Sequence, residues 1–509
     1  MALKSSDLVS LFERALSALP EDSLDEIGIV VQVGDGICKV HGLRTVVFGE
    51  LVTFEGGNRG MVFQINDDAV DIFLIDTVIP VVEREIARCT GSVYTIPISS
   101  DLLGRVINAQ GLPLDGLGDI KADVFNPIEV PIPGIMERTP VNKSLETGIM
   151  AIDSLVPIGR GQRELVIGNR GAGKTTLVID TIVHQKNQNV LCIYVAIGQR
   201  QANVARLVRY LEEQQALAHT IIVNAQAGEA VLNQYLAPYV GCTIGEYFRD
   251  QGRDVLIVYD DLSNHAIAFR EMSLLLRRSP GREAYPGDVF YLHSRLLERA
   301  GNMAKGGSLT ALPLVQIQGD DITSYIPTNL ISITDGQIFL DTQLFNRGIR
   351  PAVNAELSVS RVGSAAQTAA IKKVTKSFRL ELAQYHELKG FAQFGAELDE
   401  VSKKHLARGE RAIALLKQPE HVTYSFVDQT LMLFLLQEHI LDALAVDQVV
   451  SFATQFVSYI ASVYGDLYNA IKDTGDLSEL NRAKLKKIAT DFSMLFVMPQ
   501  PKVGIQGSW

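Results

Sequence analysis

The spacing of apolar residues changes character along this polypeptide, and each change predicts a different kind of structure. From Ile27 to about Thr95 the apolar positions fall in short runs, Ile29-Val30-Val31-Gln32-Val33, Ile37-Cys38-Lys39-Val40 and Val70-Asp71-Ile72-Phe73-Leu74. An Asp35-Gly36 pair between the first two marks a hairpin turn, and several such strands in so short a segment predict a small β-barrel. Beyond Ile96 strands and helices alternate. Continuous apolar runs at 165–167, 190–197, 220–223, 255–259 and 312–317 predict buried, mainly parallel strands, with a helix over 203–214 among them. Residues 330–340 predict a further hairpin turning at Asp335-Gly336. Near residue 375 the strand signals stop, and helices are predicted over 377–391, 401–417, 428–446 and 447–470. Ahead of the barrel, Leu8, Leu11, Phe12, Ala15, Leu16 and Leu19 share one face of a short helix with Asp7 at its N-cap. That face needs cover, from its own domain or from a partner. The expected architecture is multidomain: a helix and linker (1–25), a small β-barrel (26–95), a RecA-like α/β phosphate-loop domain (96–375) and a C-terminal α-helical domain (376–509).

The chemistry concentrates where the run Leu165-Val166-Ile167 ends. Gly168-Asn169-Arg170-Gly171-Ala172-Gly173-Lys174-Thr175 reads G-x-x-x-x-G-K-T between a buried strand and a helix that begins at Thr176. Glycines let backbone N–H groups turn inward around phosphates at a helix N-terminus, Lys174 adds a positive charge, and the Thr175 hydroxyl suits Mg²⁺. The strand 255–259 ends in Asp260-Asp261. A carboxylate there can grip the same Mg²⁺, so Asp260 is assigned to the metal and Asp261 to the turn.

Composition narrows the partners. The sequence has 509 residues, 47% hydrophobic and 21% charged, with mean hydropathy +0.13, which is ordinary globular material. Net charge is −11, and residues 1 to 95 carry 7 lysines and arginines against 15 acidic residues, which argues against a nucleic-acid face on the barrel and for a structural one. Cys38, Cys89, Cys192 and Cys242 have no paired spacing, which suits buried thiols in a reducing compartment. No apolar leader precedes Asp7, and the start reads like that of a mature cytosolic protein. The apolar stretch from Gln429 to Leu436 is broken by Glu438, His439 and Asp442, well short of the roughly 20 residues a spanning helix needs. Any link to a membrane therefore runs through partners.

Three blocks carry a family resemblance: Pro157-Ile158-Gly159-Arg160-Gly161-Gln162-Arg163-Glu164, the run from Leu274 to Phe290 containing Arg277-Arg278-Ser279-Pro280-Gly281-Arg282, and Ser358-Val359-Ser360-Arg361-Val362-Gly363. With the ending Gly507-Ser508-Trp509, the sequence resembles the α subunits of F-type ATP synthases throughout. The resemblance implies ATP/ADP and Mg²⁺ as cofactors, and a ring in which α alternates with catalytic β subunits around a γ stalk. It also implies a δ-type peripheral-stalk subunit meeting the N-terminal helix, and a place on the cytoplasmic face of a bacterial inner membrane. In the catalytic paralogue a glutamate orients the attacking water; the matching pair here is Gly198-Gln199, and an amide is a very weak base. The resemblance assigns Arg361 a role across the interface, stabilising charge on the transferred phosphoryl group, and Ser358 the shaping of that loop. Two regions depart from the family. The phosphate loop carries Asn169, Gly171 and Ala172 where an aspartate, a glutamine and a threonine are usual, and in the base-binding region Gln418 is kept while Glu420 replaces a second glutamine. Nucleotide is therefore expected to be held differently and less tightly. A self-sufficient homohexameric ATPase is opposed by Gln199, and an RNA-translocating hexamer by the acidic barrel.

Overall fold

The computed structural model describes residues 26–75, 79–393 and 399–497. The helix expected over 5–19 and the terminal 507–509 lie outside them. The protein divides into two compact units, Met1–Arg138 with Val190–Val315 and Thr323–Ile333, and Thr139–Asn189 with Gln316–Ile322 and Thr334–Trp509.

The first unit opens with six strands that close into a barrel in the order Ile27–Gly34, Ile37–His41, Val70–Leu74, Arg59–Ile65, Glu50–Phe54, Ile86–Val93. The Asp35-Gly36 turn is as expected, with both residues at positive φ (51° and 78°), the geometry whose twist matches that of the flanking strands. Inward positions are Val30, Cys38, Val40, Val52, Phe54, Val62, Ile72 and Leu74, all buried. Gly60 is required there, because a Cβ would sit 2.5 Å from Ile72 Cγ2 and 3.0 Å from the Phe73 carbonyl. Phe63 meets Phe73 and Tyr235 edge-on at 5.2 and 5.4 Å, tying the barrel to the helix Val231–Asp250.

That helix lies on a parallel sheet whose strands Ser308–Ile317, Asp254–Asp260, Val190–Gln199, Thr220–Gln226 and Val106–Asn108 stand in that order. The first four are nearly continuous apolar runs because both faces are covered. Gly241 and Gly245 let the helix approach: a Cβ at Gly241 would lie 2.5 Å from Val195 and one at Gly245 2.9 Å from Leu309.

The hairpin expected over 330–340 does not form. Tyr325–Ile333 is a helix, and only Gly336–Leu340 is a strand. Ile326, Leu330 and Ile333 are the buried residues with Pro327, a helical spacing that the β-branched Ile331 and Ile333 disguise. Asp335 does not make a hairpin turn. Its carboxylate takes hydrogen bonds from the Arg163 backbone and guanidinium at 2.8–3.0 Å.

In the second unit Leu165–Asn169 pairs in parallel with Gly336–Leu340, which also pairs with Val359–Ser360. Among the described residues the helices that follow are Ala369–Thr375, Phe378–Gln393, Glu400–Leu416, Phe426–Gln437, Val449–Val463, Gly465–Thr474 and Glu479–Val497. The helix expected over 428–446 stops at Gln437, because His439 adopts a left-handed conformation (φ 62°) and the backbone reverses. No described helix is long and apolar enough to cross a membrane.

Candidate nucleotide site

The phosphate loop joins the strand Leu165–Asn169 to the helix Lys174–His184. Gly168 is buried against the neighbouring strand, where a Cβ would meet the Leu340 carbonyl at 2.8 Å. Gly171 and Gly173 sit at φ 80° and 94°, which residues with a side chain rarely adopt, so the loop can curl and leave its N–H groups inward. The buried Lys174 Nζ donates to the Gly168 and Asn169 carbonyls, both at 2.8 Å, and is thereby held over the loop. Arg170, Gly171 and Thr175 are exposed, Thr176 is half-buried, and Ala172 is buried. The Asn169 amide donates to Asp320 (2.6 Å) and Thr342 (2.9 Å). An aspartate at 169 would face Asp320 as a like charge, so the asparagine fits its surroundings.

A pocket runs from this loop, lined by Ala172, Gly173, Thr176, Leu177 and Asp180 on one side and by Phe345, Arg350, Pro351, Gln418, Glu420 and Val422 on the other. Its mostly apolar walls suit the base and sugar of a nucleotide whose phosphates lie on the loop. The Arg350 guanidinium rests 4.3 Å above the Phe345 ring. Gln418 is buried, and its amide is committed to the backbone: Oε1 accepts from Met150 N (3.1 Å), while Nε2 donates to the Gly148 (2.8 Å) and Val422 (2.5 Å) carbonyls. The Asp180 carboxylate accepts from His421, from its backbone N–H at 3.2 Å and its Nδ1 at 3.0 Å. Burial pushes the Asp180 pKa up, against the pull of His421.

In the first unit Asp260, buried at the end of its strand, accepts hydrogen bonds from Tyr194 Oη (2.5 Å) and from Gln199 Nε2 (3.2 Å). Asp261 caps the helix Leu262–Leu275, accepting from Asn264 N at 2.8 Å. Among the described residues no group of three or more His, Cys, Asp or Glu is gathered as a ready metal cage. A hydroxyl such as Thr175 and a carboxylate such as Asp260 are still the kind of donors that fit Mg²⁺, which takes one or two protein oxygens and completes its shell with phosphate and water.

Ser358 is fully buried and its hydroxyl accepts from Phe339 N at 2.9 Å, pinning the loop after it to the strand Gly336–Leu340. Two residues on, Ser360 donates to the Pro157 carbonyl (2.8 Å) and accepts from Gln162 (3.1 Å). Arg361 is exposed; its backbone N–H donates to Asp335 (2.8 Å), and its charge faces the buried Glu164, whose pKa desolvation raises well above the ordinary range.

Family models match in sequence order: the ATP synthase alpha/beta family beta-barrel domain over residues 24–91, its nucleotide-binding domain over 148–360 and the family's C-terminal domain over 367–492. The chain belongs to the ATP synthase alpha/beta family. Within it, a protein named ATP synthase subunit alpha from Acetivibrio thermocellus is 50% identical over 497 residues, covering 97% of this sequence and 98% of that one. Proteins of the same name from Buchnera aphidicola and Caldanaerobacter subterraneus are 46% and 49% identical, covering 97% and 92% of this sequence and 99% and 93% of theirs. This kinship sets the protein with the alpha subunits, as nucleotide-binding members of the family. It sets aside the self-sufficient ring ATPase and the RNA-translocating hexamer. The barrel, α/β nucleotide-binding domain and helical C-terminus are those of the family. Asp180, His421, Phe345 and Arg350 are not singled out by the sequence. Only Asp180 leaves a trace there, as the acidic position on the buried face of the loop's own helix.

Proposed function

We propose that this protein is the non-catalytic, nucleotide-holding α subunit of an F-type ring, alternating with β around a γ stalk on the cytoplasmic face of a bacterial membrane. The observation that carries the non-catalytic reading is the Gln199–Asp260 hydrogen bond of 3.2 Å. The residue placed to activate water is an amide, committed as a donor to the carboxylate beside it, and it cannot take a proton at neutral pH. A glutamate there would set two carboxylates against each other. The phosphate loop, Gly168 through Thr176, holds the nucleotide, and its Thr175 hydroxyl is an oxygen ligand of the Mg²⁺; Asp260 is assigned to that metal from its sequence position at the C-terminal end of a buried strand. Bound Mg²⁺ supplies charge neutralisation at the phosphates. Gln418 acts by shaping the base end of the pocket from its backbone bonds, and Asn169, Gly171 and Ala172 leave fewer side chains to touch the phosphates than a typical α loop has. Mg-ATP should accordingly bind the isolated subunit more weakly than it binds typical α subunits; equal or tighter affinity by equilibrium binding would count against this.

Arg361, exposed on a loop that Ser358 pins, is the side chain lent to the neighbouring catalytic site, where a guanidinium stabilises charge on the phosphoryl group. The test is steady-state ATP hydrolysis by the subunit alone and reconstituted with β and γ subunits. The lone subunit is expected to be nearly inactive, and Arg361→Ala to slow the complex by about 10³-fold. Brisk turnover by the lone subunit would defeat the proposal. The N-terminal helix is assigned to the δ-type stalk subunit, so removing residues 1–19 should weaken stalk binding and spare hydrolysis by the ring.

A further inference from the structure

We propose that the buried amide of Gln162 is the positioning group that aims Arg361, an inference that rests on reading Arg361 as the arginine lent to the neighbouring catalytic site. Gln162 and Glu164 are both 0% exposed, whereas Arg361 is exposed directly after the short strand Val359–Ser360. One amide joins the two levels. Gln162 Oε1 accepts from Gly159 N (2.8 Å), and Nε2 donates to Glu164 Oε2 (2.7 Å) and to Ser360 Oγ (3.1 Å). The Ser360 hydroxyl in turn donates to the Pro157 carbonyl (2.8 Å) and accepts from Gln162 and from Gly363 N (3.2 Å). A hydroxyl has one donor and two acceptor sites, and here all three are in use.

That hydroxyl fixes the backbone on both sides of Arg361. Ser360 is anchored just before it and Gly363, at φ 58°, two residues after it, while the Arg361 N–H is held by the Asp335 carbonyl at 2.8 Å. The guanidinium therefore departs from a backbone with little freedom. Position 162 needs an amide for this. A carboxylate there would offer no donor and would stand beside Glu164 as a second acid, and an apolar side chain would leave Gly159 N and the Glu164 oxygen buried without their partner. Glu164 sets which way the amide points, since its oxygen calls for a donor and Nε2 is the donor end. Gly336 gives Glu164 its room: a Cβ there would lie 2.5 Å from Glu164 Oε2 and 2.2 Å from the Val359 carbonyl. Such support matters because moving a catalytic group by about 1 Å costs about 10²-fold in rate.

The measurement is a double-mutant cycle on steady-state ATP hydrolysis by the complex reconstituted with β and γ subunits, comparing wild type, Gln162→Leu, Arg361→Ala and the double variant, with ring assembly checked by size-exclusion chromatography. Gln162→Leu is expected to lower kcat by on the order of 10- to 100-fold and to leave the KM for ATP unchanged, as when an interaction made only in the transition state is lost. In the Arg361→Ala background the same substitution is expected to change kcat by less than about twofold, since no guanidinium is left to aim. A merely structural role would lower the rate by the same factor in both backgrounds. Ser360→Ala, which deletes one hydroxyl at a half-buried position, is carried through the same cycle and decides the matter if Gln162→Leu does not assemble. Wild-type kcat in these variants, or a loss that multiplies undiminished with that of Arg361→Ala, overturns the positioning role and leaves the arginine standing. If Arg361→Ala is as fast as wild type, the arginine reading itself falls, and the positioning with it.

Discussion

Arg299 is 1% exposed, the largest of the fully buried side chains, and it survives in the interior because every part of its guanidinium is met. Nε and Nη2 reach the two Glu246 oxygens, Nη1 donates to the Ile128 carbonyl (2.7 Å) and Nη2 to Thr243 Oγ1 (2.9 Å). The pairing holds its pKa above the ordinary arginine value against desolvation. Removing one partner leaves a buried charge unmatched, which costs about 3–5 kcal/mol, whereas replacing both with apolar residues costs far less. Glu246→Leu should therefore lower the urea midpoint strongly, and Glu246→Leu with Arg299→Met should recover much of the loss. At the same scale Gln199 shows how one atom type alters a role, since an amide nitrogen next to Asp260 makes a hydrogen bond where an oxygen would repel.

Among the elements, the helices Phe378–Gln393 and Glu400–Leu416 cross at Gly409. A Cβ there would lie 2.2 Å from the Tyr385 ring, so Gly409→Ala must push the helices apart, at about 1–3 kcal/mol. Gly390 lies in the first of those helices with nothing within 4 Å of its Cβ position, and Gly390→Ala should stabilise by about 0.5–1 kcal/mol. Thermal midpoints of the two variants should thus move in opposite directions, although the chemical change is the same. Equal shifts would mean that helix propensity, not contact, governs both positions.

For the whole molecule the pH response turns on two buried histidines. His265 Nε2 donates to the Tyr235 carbonyl (3.1 Å), and its ring lies 5.4 Å from that of His293. Neither His293 nitrogen has a hydrogen-bond partner among the described residues. Burial pushes His265 down to about 4 and His293 well below 6.5. As pH falls below 6.5 the unfolded state takes up protons that the folded state refuses until about pH 4. The contribution of these two histidines to stability is thus full above pH 7 and falls with acid across that window, by about 1.4 kcal/mol per pH unit for each. His265→Gln should flatten part of this slope, measured as the denaturation midpoint between pH 7.5 and 5 against wild type. Buried Asp153 and Glu164, with raised pKa values, pull the other way on acidification. The comparison with wild type removes their contribution.

Local chemistry was legible wherever a few consecutive residues suffice to set it. The phosphate loop, the Asp35-Gly36 turn, the apolar strands and the Asp261 cap depend on backbone preference and burial pattern within one segment. What the sequence could not say was how neighbours distant along the polypeptide dispose of a side chain's hydrogen bonds. Ile331-Ser332-Ile333 carries strand-forming residues, yet packing of Ile326, Leu330 and Ile333 makes the segment a helix. Gln418 looks like a base-reading amide, but Gly148 and Met150, some 270 positions earlier, consume it. Asp180 meets His421 across 241 positions, a pairing that leaves no spacing signal. Sequence by itself determined most of the elements and the chemistry of the loop. Only the tertiary structure decided which polar groups remain free to act, because hydrogen-bond capacity is finite and its partners are assigned in space.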